Sequence, residues 1–236
     1  MSLFSDSLKK WFYHNDSFGA KAGTRICLLD ASGNPAGSDE ILRAITFANC
    51  KDDYVDMGLP SKTLWAKKNL GAVSETDYGM YCSWGNLQLH PQGDGYNFSS
   101  SVYNNTPAAA ISADLTLEQD IAHQILGGGW RMPSVGDAQE LFDSNYTTNA
   151  FVTDYQGVTG LNGMLITSKS NNNTLFFPAA GNYVNTTLGN LGVSGNYWLS
   201  NLHSSTAARF FALNSTGINN STYMVRYCGQ TIRPII

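Results

Sequence analysis

The chain has 236 residues, of which 42% are hydrophobic and 12% aromatic, while only 14% are charged and the net charge is −4. An average globular protein carries about 25% charged residues, so solubility here rests on uncharged Asn, Ser and Thr. The absence of a basic run removes the electrostatic footprint of a nucleic-acid binder, and no apolar stretch approaches the roughly 20 residues of a spanning helix, so no membrane insertion is expected.

The length suits one domain of ordinary size with a small appendage. Residues 1–50 read as that appendage, a docking or oligomerisation segment, with a strand pair belonging to the main domain as the competing reading. Ser7 to Tyr13 predicts a short helix, Thr24 to Asp30 alternates like a strand, and Gly33-Asn34-Pro35-Ala36-Gly37 is a turn cluster before Ser38-Asp39-Glu40-Ile41. Lys9 and Lys10 are not followed by an apolar core segment, so no secretory signal is read. Cys27, Cys50, Cys82 and Cys228 are scattered and lack the close pairs of a zinc or redox motif. Free buried thiols are the favoured reading.

Residues 51–236 have the texture of short strands and long Gly-punctuated loops. Asn86 to Ala110 and Ser168 to Thr174 read as polar loops, the kind that in a compact domain are usually functional. Thr116 to Leu126 predicts a weaker helix, with Leu117, Ile121 and Ile125 at helical spacing. A stronger one opens at Ser134, an N-cap with Asp137 three residues on and Ala138, Leu141 and Phe142 as its apolar stripe. Gly127-Gly128-Gly129 reads as a turn, since a phosphate loop would need a following Lys-Ser/Thr. Trp65, Trp84, Trp130 and Trp198 stand beside Gly or small residues, as buried indoles do where the backbone turns close by. Arg131 and Arg233, each just upstream of a proline, read as structural guanidinium forks, with an anion clamp as the competing role.

The tail from Phe177 has a fixed-looking framework, Phe177-Pro178-Ala179-Ala180-Gly181, Tyr197-Trp198-Leu199-Ser200 and Gly229-Gln230-Thr231-Ile232-Arg233-Pro234. Between these lie Asn, Tyr, Ser and Thr, the composition of adaptable binding surfaces. Together with Asp53-Tyr54-Val55-Asp56-Met57-Gly58-Leu59-Pro60-Ser61-Lys62-Thr63-Leu64-Trp65-Ala66, Asp77-Tyr78-Gly79, Ser83-Trp84-Gly85 and Gly129-Trp130-Arg131-Met132-Pro133-Ser134, the framework resembles the major paralogous domain abundant in Bacteroides and Fibrobacter, of the C-type lectin-like superfamily. The resemblance implies an α+β fold with two helices, short antiparallel strands and extensive loops. The framework and infill are also similar to variable proteins of diversity-generating retroelements, in which template adenines are randomised. That similarity implies a ligand-binding surface of adenine-reachable positions: Asn182, Tyr183, Asn185, Asn190, Asn196, Tyr197, Asn201, His203, Thr206, Arg209, Phe211, Asn214, Asn219, Asn220, Tyr223 and Tyr227.

The implied role is receptor binding by a phage tail-associated or prophage-encoded protein. Its expected partners are a bacterial surface protein or glycan and, through residues 1–50, virion tail components, with a homotrimer among the expected assemblies. The expected location is the virion, or the cytoplasm before release. An invariant Bacteroides-type adhesin or interaction module is the first alternative, and a formylglycine-generating-enzyme-like oxidoreductase the second.

The calcium-site tripeptides of C-type lectins (Glu-Pro-Asn, Gln-Pro-Asp, Trp-Asn-Asp) do not occur, and Asp52-Asp53 with Asp56 reads as a solvated turn. The fold-related formylglycine-generating enzymes need reactive cysteines or a histidine metal set. His14, His90, His123 and His203 lack facial-site spacing, and Gly192-Val193-Ser194-Gly195-Asn196 fails the nucleophile-elbow pattern. No catalytic residue, metal or cofactor is expected.

Overall fold

The computed structural model describes residues 54–236. The elements expected before Asp53 and the proposed docking segment therefore lie outside the described residues, as do Cys27, Cys50 and His14.

The architecture is α+β, with few helices and many antiparallel strands. A hairpin of β1 (Tyr54–Asp56) and β2 (Leu64–Ala66) is followed by α1 (Ser100–Tyr103), a 3-10 turn at Pro107–Ala110, α2 (Ile121–Leu126) and α3 (Val135–Leu141). Strands β3 (Thr147–Val152), β4 (Gly163–Ser168) and β5 (Thr174–Pro178) form one antiparallel sheet. A small hairpin of β6 (Asn182–Val184) and β7 (Thr187–Gly189) leads into a second sheet ordered β10-β9-β8, from β8 (Ser194–Leu202), β9 (Ala207–Asn214) and β10 (Gly217–Val225).

The second sheet is a middle layer. On one side Trp198, Ala208 and Phe210 join Trp84, Trp130 and α2 in one apolar core; on the other Tyr197, Leu199, Phe211 and Leu213 pack with Trp65, α3 and the inner residues of β4 and β5 in a second. A sheet covered on both faces loses its polar alternation, which is why Gly195 through Leu199 of β8 are buried without interruption.

All four tryptophans named above are buried. Two also tie distant segments: Trp84 Nε1 donates to the Leu199 carbonyl at 2.8 Å and Trp198 Nε1 to that of Cys82 at 2.9 Å.

The helices show where local sequence suffices and where it does not. Ser134 caps α3 in a full capping box: its side chain accepts from Asp137 N, and Asp137 accepts from Ser134 N. The helix expected from Thr116 begins only at Ile121, because Asp120 is the cap. One Asp120 oxygen accepts from Ala122 N (2.8 Å) and His123 N (3.2 Å), and the other takes Met132 N at 2.7 Å, a tertiary contact that no local pattern announces. Thr116–Gln119 is instead a turn, and Leu117 faces solvent. Within the expected Asn86–Ala110 loop lie α1 and the 3-10 turn, while Ser168–Thr174 closes the β4–β5 hairpin.

The C-terminal segment pairs with nearly everything. Gly229 bridges to Tyr183, Gln230 to Cys82, Thr231 to Tyr197, and Ile235 to both Trp65 and Arg131. Arg233 is fully buried: Nε donates to Asn69 Oδ1 (2.8 Å), Nη1 to the Ala66 and Lys67 carbonyls (3.0 and 2.7 Å) and Nη2 to that of Phe176 (2.8 Å), with the guanidinium 4.5 Å from the Phe177 ring centroid.

Gly181 and Gly229 are required sterically. A Cβ on Gly181 (φ +63) would lie 2.1 Å from the Gly189 carbonyl, and one on Gly229 2.6 Å from the Phe98 ring.

Replacing Arg233 by Met strands three buried carbonyls and an amide oxygen, so Arg233→Met should lose about 3–5 kcal/mol in urea unfolding or fail to fold. A loss below about 0.5 kcal/mol, the scale of a neutral surface change, would contradict this account of the residue.

Candidate binding surface

The sixteen positions implied by the sequence resemblance do not form one surface. Asn182, Tyr183, Asn196, Tyr197 and Phe211 are buried. Tyr197 stacks on Phe211 with centroids 4.9 Å apart and rings inclined by only 3°, and its hydroxyl donates to the Pro178 carbonyl at 2.6 Å. Burial pushes the Tyr197 hydroxyl up to about 12. Asn196 Nδ2 donates to Asn182 Oδ1 at 2.9 Å inside the fold, and Tyr183 packs edge-on against Tyr81 and face-on against Phe98. In this fold these five positions belong to the scaffold and are not offered to a partner.

A second group has solvent access but local duties. Asn185 (φ +53) and Asn190 (φ +59) occupy the left-handed region, which Asn tolerates best after Gly. Asn214 Oδ1 accepts from Thr216 N at 2.8 Å and shapes the β9–β10 turn; Asn219 Oδ1 accepts from Ser221 N at the bulge in β10 that includes Asn220. Asn201 is fastened at both ends of its amide: Oδ1 accepts from Val135 N at the start of α3, and Nδ2 donates to Asp114 Oδ2, each at 2.7 Å. Tyr227 packs half-buried against the Trp84 core, and its carbonyl accepts from Ser83 Oγ.

Four positions remain with outward side chains and no framework duty for them: His203, Thr206, Arg209 and Tyr223. Arg209 and Tyr223 are directly opposite across the β9–β10 ladder and so share a face. His203 follows the end of β8, donates its N–H to the Ala207 carbonyl at 3.0 Å and stacks on Tyr223 with centroids 3.9 Å apart. Tyr223 is 57% exposed, the one large apolar side chain of this sheet open to solvent.

Sequence reasoning missed Arg226, which fixes the base of this patch. Its side chain is buried between the Trp84 and Tyr103 rings, 5.5 Å from each centroid, and donates to the Ile111 and Ala109 carbonyls at 2.6 and 2.9 Å. Its N–H donates to the Thr206 carbonyl, so the β8–β9 turn carrying the patch is held from below. An arginine among Met224, Val225 and Tyr227 was the available signal.

The other chemically suggestive residues are occupied structurally. Arg131 makes a bidentate pair with Asp137, at 2.7 and 2.9 Å, which favours the structural fork over an anion clamp. Asp56 Oδ1 accepts from Gly58 N in a turn. Burial pushes the Cys82 thiol up strongly and Cys228 up to about 11, so both are poor nucleophiles at neutral pH. His90 sits 2.8 Å from Asp94 and stacks on Tyr96, while His123 Nδ1 donates to the Trp130 carbonyl. Among the described residues no group of three or more His, Cys, Asp or Glu is placed to hold a metal ion, and no helix is long and apolar enough to cross a membrane. Comparison of the chain with protein-family models, curated proteins and solved structures finds no match.

Desolvation is the largest single influence on Asp137 and raises its pKa. Hydrogen bonds from Arg131 and Ser134, with the Arg131 charge, outweigh it and leave the carboxyl depressed overall. A depressed folded-state pKa means stability that is present above the unfolded value near 3.9 and lost as pH falls through the folded one. Asp137→Ala should therefore cost about 1–2 kcal/mol at pH 7, shrinking towards zero as pH drops below about 4. Urea midpoints across pH measure this; a cost independent of pH would contradict it.

Proposed function

We propose that the protein recognises a ligand on a bacterial surface, through a C-type lectin-like domain whose C-terminal strands carry a diversified patch. It would be the variable protein of a diversity-generating retroelement, borne on a phage tail or encoded by a prophage. The observation carrying this reading is the separation of roles in the last third of the chain. Trp198, Gly229 and Arg233 are fixed by burial and hydrogen bonds, whereas His203, Thr206, Arg209 and Tyr223 stand outward on the same sheet and its adjoining turn with no framework duty. Tyr and His give contact area at small entropic cost, and short hydroxyl side chains give hydrogen bonds that substitution retunes easily.

A second reading keeps the recognition role and drops the diversification: an invariant adhesin or interaction module. The positive φ of Asn185 and Asn190 and the double anchoring of Asn201 favour it, because each gives an Asn a structural reason to be there.

Sequencing the 3′ end of the gene across a population of its source separates the two. Diversification predicts substitutions at adenines of the His203, Thr206, Arg209 and Tyr223 codons, with Trp198 and Arg233-Pro234 constant. A uniform population would leave the invariant module.

A further inference from the structure

Arg209 differs from every other described arginine. Arg131 is paired with Asp137, Arg226 is held by two carbonyls and two rings, and Arg233 is held by four acceptors. The Arg209 side chain, half-buried beside Tyr223, makes no hydrogen bond, ion pair or ring contact among the described residues. Asp114, beside the end of β8, makes no ion pair with it: Oδ1 accepts from Leu202 N at 2.8 Å and Oδ2 from Asn201 Nδ2 at 2.7 Å. A guanidinium in this position offers a planar fork matched to a carboxylate.

Beside that fork stands Tyr223, stacked on one face by His203 at 3.9 Å and 57% exposed, so that its other face is left for a ligand. The face of an aromatic ring is electron-rich, and the axial C–H groups on one side of a pyranose are weakly positive, so a sugar ring lies well on such a surface. Ser204, Ser205 and Thr206 are exposed on the adjoining turn and supply hydroxyls at the rim. The scale fits a sugar better than a protein. A standard protein interface buries about 800 Å² per partner around an apolar centre, whereas this sheet exposes one large apolar side chain.

We propose that His203, Tyr223 and Arg209 form a site for a carboxylated sugar of a bacterial surface polysaccharide, with the sugar ring on Tyr223 and its carboxylate on the Arg209 guanidinium. This rests on the recognition reading above and narrows the ligand to acidic glycans.

The test presents the full chain to immobilised uronate- and sialate-bearing oligosaccharides, to the same panel after carboxyl reduction, and to intact Bacteroides-type cells. Retention on at least one acidic glycan is expected, falling about tenfold or more on carboxyl reduction and likewise for Arg209→Gln and Tyr223→Ala, with Arg209→Lys intermediate. Arg209→Gln should keep the wild-type urea midpoint, so lost binding cannot be lost folding. No retention on any acidic glycan, or retention indifferent to carboxyl reduction or to Arg209→Gln, would overturn the inference. In that case, cell binding that Tyr223→Ala abolishes would leave the recognition reading standing, with a neutral glycan or a protein as target. Cell binding unaffected by Tyr223→Ala and His203→Ala would sink both.

Discussion

The fold hangs on the last eight residues. Gly229 to Ile236 runs through the molecule and closes backbone pairs with segments near residues 65, 82, 131, 183 and 197, which are scattered along the described chain. Arg233 adds four hydrogen bonds from one side chain to Asn69, Ala66, Lys67 and Phe176. Burying a cation is costly unless its donors find acceptors, so Arg233 favours the convergence of the β1–β2 hairpin, the loop after it and β5. The contacts are long-range, and closing them costs loop entropy that local contacts do not.

That convergence positions the proposed recognition surface. With the C-terminal segment seated, β8 and β9 lie between two apolar cores, Trp198 and Phe210 on one side and Tyr197 and Phe211 on the other. Packing on both faces makes most of β9 and the middle of β8 unavailable. The edge strand β10 has no buried residue, and outward side chains with no framework duty gather at the end where β8 gives way to the turn before β9 and where Tyr223 of β10 faces Arg209. Arg226, the residue after β10, donates to the Ala109, Ile111 and Thr206 carbonyls and holds that end from beneath. A patch built this way can change its side chains without moving its backbone.

Much of the scaffold was legible in the sequence because its signals are local or bulky. Ser134 and Asp137 announce a capping box within four residues, and indoles beside glycines announce a core. The start of α2 was not legible, since Asp120 earns its capping role partly through Met132 N, twelve residues away. The surface was legible only in outline. Composition singles out Asn, Tyr and Thr positions but cannot say which way a strand turns them, and a strand buried on both faces gives no period of two to read. Hence Tyr197 and Phe211 resemble Tyr223 on paper yet sit in the core, and Asn201 resembles a contact residue yet holds α3.

In the tail a fixed scaffold is separate from a small set of free positions. A saturation library over residues 182–227, displayed as the full chain and sorted for resistance to protease, tests it without knowledge of the ligand. His203, Thr206, Arg209 and Tyr223 should accept most residue types, while Asn196, Tyr197, Trp198 and Phe211 should accept few, with large-to-small changes at the aromatics costing about 3–5 kcal/mol. Equal tolerance at Tyr197 and Tyr223, or loss of folding on substitution throughout the His203, Arg209 and Tyr223 patch, would contradict the account.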